Sequence, residues 1–224
     1  MSDPLQIITT GDGSHSLLNT ALNETYHSVH GALRESLHVF IKHGLEYFID
    51  ANQSNKISVF EVGFGTGLNA FLTAEFVRDK NISVEYTSIE AFPLSHDVVS
   101  QLNYANTSAQ SELFERIHGA EWEKSISISP EFTIRKIKTT LQQIDLSIPA
   151  FDVVYFDAFA PSKQPEMWEL SLLQKIYSAL KNPGVFVTYC AKGQLKRDLK
   201  SLGFEVETLE GPPGKKEMVR GLKK

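Results

Sequence analysis

Cysteine is almost missing from this chain: one residue, Cys190, stands among 224. No intramolecular disulfide can form, and a cysteine-rich zinc site is excluded as well. Long apolar runs are also missing, since none approaches the roughly 18 residues that cross a bilayer. The opening Met1-Ser2-Asp3-Pro4 has neither the basic nor the apolar stretch of a secretory signal. These absences predict a cytoplasmic protein with no membrane partner. Positive charge is in deficit too, with 22 Lys and Arg against 27 Asp and Glu, a net charge of -5. A protein that coats polyanions with its whole surface is therefore excluded. No internal repeat and no low-complexity segment breaks the chain.

What is present suits one generous domain with an appendage, because 42% of the residues are apolar and can build a sizeable core. The basic residues that exist gather late: residues 192–224 hold nine Lys and Arg against five Asp and Glu. Residues 5–30 are short, polar and turn-rich, with a hairpin expected around Asp12-Gly13. Leu33, Leu37, Phe40, Ile41, Leu45 and Phe48 then recur at spacings of three and four, which predicts a helix over about 31–49. Residues 1–50 are thus expected to form an N-terminal extension of hairpin and helix, and 51–224 the main domain. From Ile57 onward short apolar runs alternate with helical stretches, the pattern of a doubly wound, mostly parallel α/β sheet. Strands are expected at 58–62, 84–89, 132–137, 151–156, 185–189, 204–209 and 218–222. Helices are expected from Leu68, over Leu94, Val98 and Leu102, briefly near Leu141, over Trp168 to Leu180, and at 193–202. Asn182-Pro183-Gly184 is expected to stop the helix before it.

The first of those strands runs into Glu61-Val62-Gly63-Phe64-Gly65-Thr66-Gly67-Leu68-Asn69. Glycines at a strand-to-helix turn permit positive φ and let a ligand approach the backbone, while the helix start offers unpaired N–H groups. A dinucleotide fingerprint needs G-x-G-x-x-G, and here the third glycine arrives one residue early, with Leu68 where a small residue belongs. Glu61 also disfavours a pyrophosphate and favours an amino group beside it. Glu90, at the end of the second strand, is placed to accept hydrogen bonds from both hydroxyls of a ribose. Together these features select S-adenosyl-L-methionine over a nicotinamide dinucleotide, the alternative that the glycine spacing disfavours.

Asp157-Ala158-Phe159-Ala160-Pro161 follows the most hydrophobic strand and should emerge at the same rim. Methyl transfer to an amine needs alignment, exclusion of water and a neutral nucleophile. Asp157 could hold the amine lone pair toward the methyl group and take up the proton as product forms. Phe159 offers a ring face to an aromatic base or a cationic centre. The plainer reading of Asp157 is a cap on the turn that follows it.

Taken together, these segments resemble the MnmC-type methyltransferase family, which completes 5-methylaminomethyl-2-thiouridine at the wobble position of tRNA. The resemblance rests on Gly11 to Ser14, Asn23 to Ser28, Glu35-Ser36 with His38-Val39-Phe40, Glu61 to Asn69, Ile89-Glu90-Ala91, Asp157 to Pro161 with Lys163 and Pro165 to Trp168, and Gly214 to Met218. It implies a Rossmann-like class I methyltransferase that converts a 5-aminomethyl uridine to its 5-methylaminomethyl form. It also implies that Gly63, Gly65, Gly67 and Asn69 line the methionine side of the cofactor, Glu90 its ribose, and Asp157 with Phe159 the transfer centre. Tyr26 and Ser28 would belong to a segment folding over the cofactor. The partner implied is tRNA carrying 5-aminomethyl-2-thiouridine. Relatives that also carry an oxidase domain make this substrate themselves. With the chain ending at Lys224, upstream tRNA-modifying enzymes are expected to supply it. One departure stands out: the acidic residue that relatives place before the aspartate strand, against adenine, is absent from Lys136-Ile137-Lys138-Thr139-Thr140.

The late basic residues, above all Lys192, Lys215 and Lys216, form a candidate phosphate-contacting face, which charge alone does not tell from an ordinary solvated one. His27 and His30 share a spacing of three, but nothing completes a metal site, and no metal is expected. A methyltransferase for a small amine and a noncatalytic cofactor- or RNA-binding module remain the competing readings.

Overall fold

A computed structural model describes residues 5–224; Met1–Pro4, on which the signal-sequence reading rests, lie outside the described residues. The chain opens with a small antiparallel sheet of β1 (Leu5–Thr9), β2 (His15–Asn19) and β3 (Glu24–Thr25), with the expected turn at Asp12-Gly13. A continuous helical stretch follows: α1 (Ala32–Ser36), a π-helical segment (Leu37–Glu46) and α2 (Tyr47–Asn52). The spacing of three and four had suggested an ordinary α-helix. The wider winding instead turns Val39, Phe40, Ile41, Gly44 and Leu45 inward.

The main sheet has eight strands. In chain order these are β4 (Lys56–Val62), β5 (Ser83–Ile89), β6 (Ser125–Ser129), β7 (Phe132–Ile137), β8 (Phe151–Phe156), β9 (Leu180–Thr188), β10 (Glu205–Glu210) and β11 (Glu217–Lys223). Their spatial order is β10-β11-β9-β8-β4-β5-β7-β6. The five strands β9, β8, β4, β5 and β7 run parallel, while β11 and β6 are antiparallel to their neighbours. The order reverses between β4 and β8, so the crevice beyond their carboxyl ends is where a ligand is expected.

Alternation along the central strand separates the two faces. Val153 and Tyr155 of β8 pack with Val39 to Phe48 and with α3 (Leu68–Val77) and α5 (Ser108–Gly119). Val154 and Phe156 pack instead with α6 (Leu170–Ala179) and α7 (Gly193–Ser201). Residues 39–48 therefore share one apolar cluster with the sheet. Gly44 allows a close approach to the sheet: a Cβ there would meet Val187 Cγ2 at 2.9 Å.

Several expectations need correction. The helix after Trp168 ends at Ala179, and Leu180 begins β9, fully buried and paired with Phe151. A four-residue apolar spacing cannot show where a helix hands over to a strand when both bury the same residue. Asn182-Pro183-Gly184 bulges within β9 rather than ending a helix, because the register jumps between the Phe151 and Val153 pairs. The helix expected over 94–102 shrinks to α4 (His96–Val99), and the segment at Leu141 is a turn. Helix α5 was not expected, although Thr107 caps it by accepting from the Gln110 N–H at 3.2 Å. Among the described residues no helix is long and apolar enough to cross a membrane.

Candidate active site

A cavity of about 1070 Å³ opens at the carboxyl ends of β4, β5 and β8. Its size lies at the top of the range for small-molecule sites, roughly 300–1,000 Å³, and leaves room for a cofactor and an acceptor together. Gly63, Phe64, Gly65, Thr66, Leu68 and Asn69 line one wall. Gly63 has φ 91°, and a Cβ on it would stand 2.9 Å from the Asp157 carbonyl oxygen. Gly65 has φ 50° and faces the Tyr26 ring, which a Cβ would meet at 3.3 Å. A side chain at either position would disturb the join between the two central strands or the cover above it.

Glu90 fixes this turn from the next strand. One carboxylate oxygen accepts from the Gly65 N–H and the other from the Phe92 N–H, each at 2.9 Å. Each oxygen keeps a second lone pair, so a diol can still be accepted at this position. Asn69 donates through Nδ2 to Asp157 Oδ2 at 2.9 Å, while its buried Oδ1 has no partner. Such a buried acceptor can take a donor from a ligand or from the Glu61 carboxyl that lies against Asn69. Asp157, half-buried, has its pKa raised to about 7, first by desolvation and then by the Glu35 charge; Asn69 and Lys215 act in the opposite sense.

The N-terminal strands close the cavity from above. Tyr26 lies edge-on to Phe159, ring centroids 5.1 Å apart. Phe159 is held by its carbonyl, which accepts from Trp168 Nε1 at 2.8 Å. Lys163 donates to the Leu22 and Asn23 carbonyls, both at 2.9 Å, and so ties the cover to the loop after Asp157. His27 is buried between Ser16 (3.0 Å) and Thr66 (3.5 Å), and burial lowers its pKa to about 4, leaving a neutral ring as a packing and hydrogen-bonding element. Among the described residues no group of three His, Cys, Asp or Glu side chains is arranged to hold a metal.

Of the residues singled out in the sequence, Tyr26, Ser28, Gly63, Gly65, Asn69, Glu90, Asp157 and Phe159 lie together on the cavity wall. Glu61 and Gly67 do not. Glu61 is fully buried in β4, where Ser88 Oγ donates to it at 2.6 Å, and burial raises its pKa to about 8, so at neutral pH it is a protonated carboxyl beneath the site. Its place in the strand alternation turns it away from the cavity, a point that the motif alone hides. Gly67 instead packs on His118, whose Nε2 a Cβ would meet at 2.6 Å. Lys215 lines the cavity, whereas Lys192 and Lys216 are exposed outside it. Part of the late basic charge is neutralised within the fold: Lys196 pairs with Glu217, Arg220 with Glu207 and Lys224 with Glu205.

Sequence reasoning missed Tyr189 as a wall residue and gave Glu35 no role. It also left open what meets adenine. Thr139, Thr140 and Gln142 line the cavity where the acidic residue was absent, and Phe92 stands 82% exposed beside Glu90. Hydroxyl and amide groups with an exposed ring suit an uncharged base edge and face.

A sheet in this order, with a glycine turn and a carboxylate at the ends of neighbouring parallel strands, defines a Rossmann-like protein built around an adenosine-bearing cofactor. The chain belongs to the S-adenosyl-L-methionine-dependent methyltransferase family, which matches residues 98–224. It is similar to the tRNA 5-methylaminomethyl-2-thiouridine biosynthesis bifunctional protein MnmC of Marinomonas, 30% identical over 216 residues, with 89% of this chain and 31% of that protein covered. The protein of the same name from Methylobacillus flagellatus is 28% identical over 214 residues, with 88% and 32% covered. The chain thus spans about a third of the length of these curated relatives. Among solved structures it resembles MnmC2 from Aquifex aeolicus, with a TM-score of 0.81 and 25% identity over 98% of this chain and 70% of that one.

Proposed function

We propose that this protein methylates the primary amine of 5-aminomethyl-(2-thio)uridine at the wobble position of tRNA, giving the 5-methylaminomethyl form. The observation that carries the reading is the carboxylate of Asp157, held by Asn69 on the wall of a cavity with room for two ligands. The similarity to MnmC proteins supplies the substrate class.

In this reading Gly63, Gly65 and Asn69 hold the methionine end of S-adenosylmethionine, with the unpaired Asn69 Oδ1 accepting from its amino group, and Glu90 takes the ribose diol. Tyr26 and Ser28 cover the cofactor from the N-terminal segment. When bound, the cofactor supplies a methyl group on a positively charged sulfur, open to displacement by an amine lone pair. The acceptor arrives as an ammonium ion. Asp157, as a carboxylate, takes one proton and so frees the lone pair; a pKa of about 7 makes it a stronger base than an ordinary aspartate and keeps about half of it ionised at neutral pH. The product leaves as a secondary ammonium, and Asp157 returns its proton to water, so one proton is released per turnover. Phe159 and Tyr26 supply ring faces for the uracil and help exclude water.

The exposed Lys192 and Lys216 have no carboxylate partner among the described residues and would meet phosphates at the rim. The order of supply follows from the chemistry: other tRNA-modifying enzymes, or a further part of a longer protein, must first install the aminomethyl group.

The test is nucleoside analysis of tRNA bearing 5-aminomethyl-2-thiouridine, before and after incubation with the protein and S-adenosylmethionine. Conversion to the methylaminomethyl nucleoside is the expected result. Methylation of a free amine with none on tRNA would establish the small-amine reading, and cofactor binding without any transfer the noncatalytic one.

A further inference from the structure

One corner of the cavity holds two carboxylates, an aromatic face and a primary ammonium. Glu35, on α1, is only 5% exposed yet lies on the wall. Its Oε2 accepts from the Ser28 N–H at 2.6 Å, and its Oε1 from the ammonium of Lys215. That ammonium sits 3.7 Å from the centroid of the Tyr189 ring. Tyr189 is itself fixed, because its hydroxyl donates to the Ala158 carbonyl at 2.8 Å, one residue after Asp157. A carboxylate and a ring face converging on one point form the donor set that binds an alkylammonium ion. Here the ion is supplied by the protein.

We propose that Glu35 and the Tyr189 face form an alkylammonium seat for the acceptor amine, and that the Lys215 side chain fills this seat until the acceptor displaces it. The proposal rests on the reading of Asp157 as the group that receives the amine, and it deepens that reading by naming how the amine is recognised.

Three observations favour exchange over a fixed structural bridge. The Lys215 side chain is 31% exposed, at the mouth, so it can leave by rotating into water. Its backbone need not follow, because the loop is pinned by the Lys215 N–H to Pro212 carbonyl bond at 2.9 Å and the Gly211 N–H to Lys216 carbonyl bond at 3.1 Å. The exchange also conserves charge: one primary ammonium replaces another beside Glu35, and no buried carboxylate is left unpaired. A neutral or anionic acceptor cannot make that exchange. The seat therefore selects for cationic amines, and the released Lys215 joins Lys216 at the rim, where a phosphate can receive it.

The test reads binding without turnover and without tRNA, using benzylamine as the probe on the full chain. Calorimetry should show Lys215→Met binding benzylamine about tenfold more tightly than the wild type, and Glu35→Gln binding it about tenfold more weakly. Equal or weaker binding by K215M overturns the proposal. Should either variant fail to fold, the wild type decides. The Lys215 side-chain NMR signal should move toward that of a solvated lysine as benzylamine saturates the protein, and an unmoved signal overturns the exchange. Because no methylation is measured, a failed seat leaves the tRNA assay standing, and a failed tRNA assay leaves the seat standing.

Discussion

The glycine-turn wall is made by one stretch of chain, residues 62–69, with Glu90 bracing it from the next strand; the wall that adjoins it draws Glu35, Asp157, Tyr189 and Lys215 from four separate parts of the fold. The first wall works through backbone: positive φ at Gly63 and Gly65 folds the turn tightly, and the Gly65 N–H is tied to Glu90. The second works through side-chain charge: two carboxylates, a lysine and a tyrosine. A backbone wall binds whatever fits its shape, while a wall of titratable groups can move protons and choose between charged and neutral acceptors. Cofactor affinity and catalytic rate should therefore be separable by mutation.

The largest separation is expected at Asp157. Replacing it with Asn keeps size and hydrogen bonding but removes the base, and turnover should fall by roughly 10² or more, the scale of a positioned acid–base group. Cofactor affinity, measured by calorimetry, should stay within about threefold of the wild type. A parallel collapse of both would mean that the two walls are one site. The reverse separation is expected at Gly65. A valine there meets both the positive φ of 50° and the Tyr26 ring, and cofactor affinity should fall about tenfold or more with the fold intact by circular dichroism.

Changing pH should sharpen the contrast further. Asp157 faces Asn69 from α3, Glu35 from α1 and Lys215 from the loop between β10 and β11, and its pKa stands at about 7. Below that pH it is protonated and cannot take a proton from the ammonium. The kcat/KM should then fall as pH drops below about 7, approaching tenfold per unit, while cofactor affinity in the same buffers stays nearly level. A flat profile down to pH 5.5 would remove Asp157 from proton transfer.

Local signals made the backbone wall readable. The glycine turn, the strand that feeds it and the acid ending the second strand each lie within a few residues, so spacing alone places them. Asp157 was readable because β8 is nearly pure hydrophobe and stops at a carboxylate. Glu35 and Tyr189 were not, because each sits in an element whose local pattern is about packing: Glu35 on an amphipathic helix, Tyr189 just past the end of a buried strand. Only tertiary folding brings them within reach of Lys215. The same limit explains α5, whose polar surface leaves just Phe114 and Ile117 buried, too few for a clear period. It also explains Leu180, which continues a helical spacing while already lying in a strand.

Glu61 gives the smallest effect and the finest test, because the sequence sets it in the backbone wall and the structure sets it underneath. Its pKa is raised from 4.5 to about 8 by burial. The folded state therefore holds a proton that the unfolded chain releases above about pH 4.5. Stability from this group is complete below that pH, declines as pH rises toward 8, and levels off beyond. In Glu61→Gln the amide oxygen can still accept from Ser88, and no proton is at stake. The variant should melt several degrees higher than the wild type at pH 8, with the gap closing by pH 5. Its cofactor affinity should be unchanged within about twofold, since the side chain is absent from the cavity wall. A tenfold loss of cofactor affinity with no pH-dependent gain in melting temperature would return Glu61 to the binding surface, and the backbone wall would then owe part of its grip to charge.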